Sequence, residues 1–176
     1  SKTIEGFGYD DVPPHASWME PQEWLGSPDA GYPLHLLCNQ PRTKLHSQLD
    51  HGIISRQAKI KGHEGVSLHP DDASARGISD GDRVRVFNGR GSCLCGAIVS
   101  DQIRPGVALI PTGAWFDPGD DQISCKHGNP NVLTSDRGTS RLAQGPAAHS
   151  CLVEIEKWQG EDPAVTAFVP PPIIEQ

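Results

Sequence analysis

Residues 69–99, HPDDASARGISDGDRVRVFNGRGSCLCGAIV, constrain the fold more than any other stretch of the chain. Pro70 brings a fixed φ and no N–H to a first helical position, and Asp71 and Asp72 put negative charge at the positive end of the helix dipole. Ala73, Ala75 and Arg76 favour helix, and Gly77 is the expected stop. Ser79-Asp80-Gly81-Asp82 then turns the chain into a strand in which Val84 and Val86 alternate with Arg83, Arg85 and Phe87. Asn88-Gly89 predicts a tight turn with positive φ values, with Arg90-Gly91 as a way of lengthening it. The return strand, residues 92–99, sets Cys93, Cys95 and Ala97 on one side and Leu94, Gly96 and Ile98 on the other. A short helix feeding a long hairpin is a scaffold. The chemistry has to come from elsewhere.

A chain of 176 residues holds one sizeable core. Its net charge of −7 argues against a nucleic-acid partner and against an anionic membrane surface, though not against a local phosphate site. No run approaches the roughly 20 apolar residues of a membrane span, and residues 1–26 have no apolar h-region. Five cysteines (Cys38, Cys93, Cys95, Cys125 and Cys151) at uneven intervals fit a reducing, cytoplasmic setting better than a disulfide scaffold. Cys93 and Cys95 lack the two-residue gap of a zinc knuckle. His46 and His51 are five apart, with no carboxylate at zincin spacing. Asp117, Asp120 and Asp121 fail the EF-hand pattern. No metal ligand set is expected, and no catalytic residue.

The first 31 residues carry prolines and aromatics without a periodic element, apart from a helical turn allowed at Glu20-Pro21-Gln22-Glu23-Trp24. Such a leader lies on another domain or wraps its own barrel. Residues 34–38 (LHLLC) read as a buried strand. A polar cluster, KLHSQLDHG at 44–52, follows at once; it is either a ligand loop or an ordinary solvated turn. Short strands follow at residues 107–111 and 151–158, and a second polar concentration fills residues 125–145. There Asn129, Asn131, Thr134, Ser135, Asp136, Thr139, Ser140 and Gln144 offer many donors and acceptors with little formal charge, which suits a heterocyclic, phosphate-bearing ligand. No Walker sequence and no G-x-G-x-x-G after a strand are present. The expected fold is mainly β: at least six strands with little helix, closed into a small barrel so that no strand edge is left open. The expected division is a leader over residues 1–31, a barrel over 32–158 and an extended tail over 159–176.

Five segments, taken in order, carry a resemblance: RTKLHSQLD (42–50), HPDDASARGISDGDRVRVFNGRG (69–91), GAWFDP (113–118), HGNPNVLTSDRGTSRLAQG (127–145) and VTAFVPP (165–171). Together they resemble the carboxy-terminal domain of the dimethyl sulfoxide reductase family of bis-molybdopterin-guanine-dinucleotide oxidoreductases. The resemblance implies a six-stranded double-psi β-barrel of the aspartate-decarboxylase type, packed against the remaining domains of a parent enzyme that reduces an S-oxide or N-oxide. It implies that His46, Ser47, Gln48, Trp115, Asn131 and Gln144 contact the cofactor. It also implies that the molybdenum ligand lies in an earlier domain, so the fragment alone is expected to be inactive. Relatives occur in the cytoplasm and in the periplasm. Cys38 departs from the serine common at its position. An independent barrel used for protein interaction or substrate recognition is the alternative.

Overall fold

The computed structural model describes residues 1–28 and 30–174; residue 29 of the expected leader and residues 175–176 of the expected tail lie outside the described residues. The strands are β1 (Leu34–Leu37), β2 (Gly65–Leu68), β3 (Arg83–Phe87), β4 (Ser92–Val99), β5 (Val107–Leu109), β6 (Ser124–Cys125) and β7 (Leu152–Lys157). Six of them close a ring. β1 runs parallel to β5 (Leu36 opposite Ala108), β5 antiparallel to β2, and β2 parallel to β4 (Val66 opposite Ala97). β4 is antiparallel to β3, β3 to β7, and β7 returns antiparallel to β1. The result is the closed six-stranded, mainly β barrel that the sequence leads one to expect. β6 is an added strand outside the ring, paired in parallel with the first two residues of β4.

Inward-facing residues of all six ring strands make the core: Leu34, Leu36, Val66, Leu68, Val84, Val86, Cys95, Ala97, Ala108, Val153 and Ile155 are all but inaccessible to solvent. The alternation is clean in β3, where Val84 and Val86 are buried and Arg83, Arg85 and Phe87 are only partly so. β4 differs: Leu94 and Gly96 are buried as well as Cys93, Cys95 and Ala97. Its outer face is covered, because Ile60 lies where a side chain on Gly96 would project.

The helix before β3 starts and stops as its residues dictate. It spans Pro70–Ser74, with the His69 imidazole accepting the Asp71 N–H at 3.1 Å and Gly77 in the left-handed region at φ 62°. Two local expectations fail. Residues 20–24 bend rather than coil, held by Trp24 Nε1–H donating to Glu20 Oε1 (3.1 Å), and the leader's helical turn is Lys2–Glu5 instead. Neither Asn88 nor Gly89 takes the left-handed conformation. The hairpin loop runs over four residues, closed by Asn88 N–H to Gly91 O at 3.1 Å. The Asn88 side chain is buried and donates to the carbonyls of Leu133 (2.9 Å) and Leu152 (3.1 Å), so tertiary partners set this turn.

Strand directions divide the molecule into two ends. The connections after β1 (residues 38–64), between β3 and β4 (88–91), after β5 (110–123) and between β6 and β7 (126–151) leave from one end, by the registers of their flanking strands. The 70–82 connection, the turn at residues 100–106 and the start of the final segment lie at the other. No helix among the described residues is long and apolar enough to cross a membrane.

Candidate functional site

All six candidate residues sit on connections of the first end. His46, Ser47 and Gln48 form a small hairpin between Leu45 and Gln48, which are bridged, with Gln48 N–H donating to Leu45 O at 2.8 Å. His46 and Leu49 both adopt left-handed backbone (φ 50° and 62°), which a side chain tolerates only where surrounding contacts impose it. Those contacts are visible. Gly113, at φ 93°, lies so close that a Cβ there would sit 1.7 Å from His46 O. The Trp115 indole N–H donates to Ser47 O at 2.7 Å.

Beneath this hairpin lies a feature the sequence conceals. Lys44 and Asp50, the residues at either end of the loop, are fully buried and face each other at 3.1 Å. Asp50 Oδ1 also accepts from Lys59 Nζ (2.9 Å) and Ser55 Oγ (2.9 Å), while Oδ2 accepts from Trp115 N–H (2.8 Å). Glu64 completes the cluster with Lys44 and, at 3.1 Å, Lys59. Two ammonium groups and two carboxylates balance. Burial alone would raise the Asp50 pKa, but the Lys59 ammonium, the Trp115 N–H and Lys44 outweigh it and hold the carboxyl at about 2. One carboxylate thus ties both ends of the 45–49 loop, the helix Ile53–Ala58 and the 112–116 loop into a single unit. Two lysines and two acids in a stretch that reads as polar loop give no periodic sign of burial.

Next to it is His127, completely buried. Its Nδ1 is 2.9 Å from Trp115 O, and Nε2 has no hydrogen-bond partner among the described residues. Burial lowers its pKa, so the ring is neutral, donating through Nδ1. The next residues are organised by sulfur: Cys125 Sγ accepts the N–H groups of Asp117 (3.5 Å), His127 (3.4 Å) and Asn129 (3.4 Å). Asn129 then caps a 3-10 turn, Pro130–Val132, through Oδ1 and the Asn131 N–H at 2.9 Å. Asn131 is left exposed. The Leu133 carbonyl, bonded to Asn88 and to Arg90 Nε (2.6 Å), ties the end of this turn to the β3–β4 loop.

The six candidates therefore fall into three groups. His46, Ser47, Gln48 and Trp115 are in one constellation. Asn131 joins it through Cys125, His127 and Trp115. Gln144 stands apart, on a loop fastened to the leader: Arg141 N–H donates to Asp11 (2.8 Å) and its guanidinium lies 4.7 Å from the Tyr9 ring. Their free polar atoms differ too. The side chains of His46, Ser47, Gln48 and Asn131 make no hydrogen bond to another described residue. The Gln144 amide donates to Ser140 O (2.9 Å) and Arg141 O (3.3 Å). Trp115 has given its N–H to Ser47, and its ring packs against the tilted His51 ring (5.3 Å) and the edge-on Phe168 ring (5.5 Å). No group of three or more His, Cys, Asp or Glu suited to a metal ion occurs among the described residues.

Residues 34–152 match the molydopterin dinucleotide binding domain. The chain belongs to that family. It is 51% identical over 161 residues to biotin sulfoxide reductase of Cereibacter sphaeroides, covering 92% of this chain and 22% of that protein. It is 47% identical over 178 residues to the dimethyl sulfoxide/trimethylamine N-oxide reductase of Rhodobacter capsulatus (99% and 22%) and 52% identical over 172 residues to trimethylamine-N-oxide reductase 1 of Escherichia coli K12 (94% and 20%). The chain thus spans about a fifth of the length of these curated relatives. Acetylene hydratase from Pelobacter acetylenicus has the same fold, with a TM-score of 0.71 at 21% identity over 90% of this chain and 23% of that one.

Proposed function

We propose that this chain forms one wall of a bis-molybdopterin-guanine-dinucleotide site in a molybdenum-dependent reductase of S-oxides, biotin sulfoxide among them, or N-oxides. The observation that carries the reading is the set of unengaged polar side chains, His46, Ser47, Gln48 and Asn131, held at one end of a closed barrel on loops whose backbones are fixed from below. Pterin and guanine present flat edges of alternating donors and acceptors, and a pyrophosphate presents oxygens. An amide such as Gln48 or Asn131 meets either kind of edge, and Ser47 and His46 donate to anionic oxygen. No basic surface is required, which reconciles an anionic ligand with a net charge of −7. When bound, the molybdenum cofactor supplies the oxygen-atom transfer, in which two electrons and two protons turn the oxygen removed from the substrate into water. This chain supplies binding and orientation.

Trp115 acts in this reading mainly by holding Ser47, and Gln144 through its one amide oxygen. Exposed Leu45, Leu49, Ile53 and Ile54 flank the His46–Gln48 loop, an apolar rim suited to closure by the remaining domains of the parent enzyme. We take residues 32–158 as the cofactor-binding barrel, 1–31 as a leader that shares its packing with those domains, and 159–176 as the tail. We propose the cytoplasm as the compartment of the parent, a reading that the five free thiols support. Similarity to reductases along nearly the whole chain favours this reading over an independent interaction module.

The test is Gln48→Ala and Asn131→Ala in the parent protein, with bound pterin dinucleotide quantified after release. Each is expected to weaken cofactor binding by about 1–3 kcal/mol where the lost contact leaves a buried unmet group, with the empty protein melting as before. Full occupancy and unchanged affinity in both variants would remove these loops from the site.

A further inference from the structure

The last segment begins at the barrel end opposite the candidate loops. Trp158 N–H donates to Arg83 O at 2.9 Å, continuing the β7–β3 pairing, and Arg83 pairs with Asp162. Eight residues after Trp158 the chain has reached the other end. Thr166 donates twice to the buried Asp117 carboxylate, N–H to Oδ2 and Oγ1–H to Oδ1, both at 2.6 Å. Lys126 completes the junction, 3.3 Å from Asp117 and 3.2 Å from Thr166 Oγ1. Phe168 then inserts edge-on against His127 (4.9 Å) and Trp115 (5.5 Å), with the Arg56 guanidinium 5.9 Å from its ring centre. Between these ends a cavity of about 550 Å³ is lined by Pro163, Ala164 and Thr166 of the segment and by Arg85, Ser92 and Leu94 of the barrel wall. Contact is concentrated where Asp117, Trp115 and His127 are held.

We propose that residues 158–168 are a strap across the barrel wall, and that Thr166 and Phe168 are positioning residues for the cofactor loops, acting through Asp117 and Trp115. The inference rests on the functional reading above for its consequence, though not for its geometry. Trp115 reaches Ser47 by one hydrogen bond from its indole and Asp50 by one from its backbone. A ring wedged against that indole limits its rotation. With Phe168 removed, Trp115 gains freedom, and the 45–49 hairpin loses the contact that fixes its Ser47 carbonyl. Thr166 acts on the same loop two residues along, at Asp117, whose other neighbours are Lys126 and the Cys125 sulfur.

The experiment uses the protein carrying this chain, isolated with its cofactor, and compares it with Phe168→Ala, Phe168→Tyr, Thr166→Ala and Thr166→Ser. Two quantities are read: the release rate of molybdopterin guanine dinucleotide, and amide hydrogen exchange at residues 45–50 and 115–117 against residues 84–86 of β3. Phe168→Ala is expected to speed pterin release by about 5–30-fold, the factor that one to two kcal/mol of lost local order gives. Exchange should rise at the two loops while β3 keeps its protection. Phe168→Tyr should restore both, as Thr166→Ser should for the weaker effect of Thr166→Ala. Release and loop exchange equal to the parent's in Phe168→Ala would overturn the strap, as would a rise shared equally by β3, which marks general destabilisation. If Phe168→Ala does not fold, the Thr166 pair decides by the same criteria. A parent protein that carries no pterin would count against the functional reading alone; loop exchange in the variants still decides the strap.

Discussion

Asp50→Asn is expected to destabilise the protein by about 3–5 kcal/mol, the largest single loss available at the candidate site. The substitution keeps the shape of the side chain and removes its charge. Lys44 and Lys59 are then buried against Glu64 alone, with one positive charge uncompensated in a place solvent does not reach. At roughly 2–4 °C per kcal/mol for a chain of this size, the thermal midpoint should fall by on the order of 10 °C. An acid titration supplies the second signature. Asp50 has a folded-state pKa of about 2, below the ordinary 3.8, so its contribution is fully present above about pH 4 and is lost as the pH falls through about 2. The lost part amounts to about 2 kcal/mol. In Asp50→Asn that portion of the pH dependence should vanish. A variant as stable as the parent, or one with the same acid slope, would mean that this carboxylate does not hold the loops.

Gly113→Ala is the second large effect. At φ 93° an alanine is strained before any contact is considered, and its Cβ would fall 1.7 Å from His46 O and 2.8 Å from Ser47 N. Both obstacles are backbone atoms, so no side-chain rotation relieves them. One loop must move off the other, which breaks the bond from the Trp115 indole to Ser47. A cost of about 2–5 kcal/mol follows from the left-handed strain plus overpacking. Binding should suffer more than the fold, because the barrel strands do not pass through this contact. Near-infrared or visible bands of the cofactor are not needed to see it: the midpoint of thermal unfolding and the pterin content of the same preparation suffice. A Gly113→Ala protein with parental stability and parental occupancy would show that the two loops are not in contact in solution.

Much of the barrel was legible because its causes are local. Pro70, the two aspartates and Gly77 delimit a helix by rules that act within one turn, and Val84 and Val86 face inward because a strand alternates. The closed ring followed from the number of short strands and the need to cover their edges. What stayed hidden depends on residues far apart in sequence. Asn88-Gly89 looks like a left-handed turn, yet Asn88 is drawn into bonds with Leu133 and Leu152, 45 and 64 residues away. β6 is two residues long and exists only because β4 extends past β2. Lys44, Asp50, Lys59 and Glu64 read as solvated charges, since nothing in their spacing announces that they meet. Of the candidate site, His46, Ser47, Gln48 and Asn131 could be named from polar clustering and resemblance. That Trp115 uses its N–H on Ser47, that the Gln144 amide is engaged, and that Phe168 returns along the wall to meet them needed the fold.

The measurement that bears most directly on the proposed site is amide hydrogen exchange of the parent protein with and without its pterin dinucleotide. Binding at the loops predicts slower exchange over residues 46–48 and 129–132 in the loaded protein, with the opposite end of the barrel, residues 70–82, unchanged. Protection confined to Arg85, Ser92, Lys126 and Trp158 around the wall cavity, with none over residues 46–48, would contradict it.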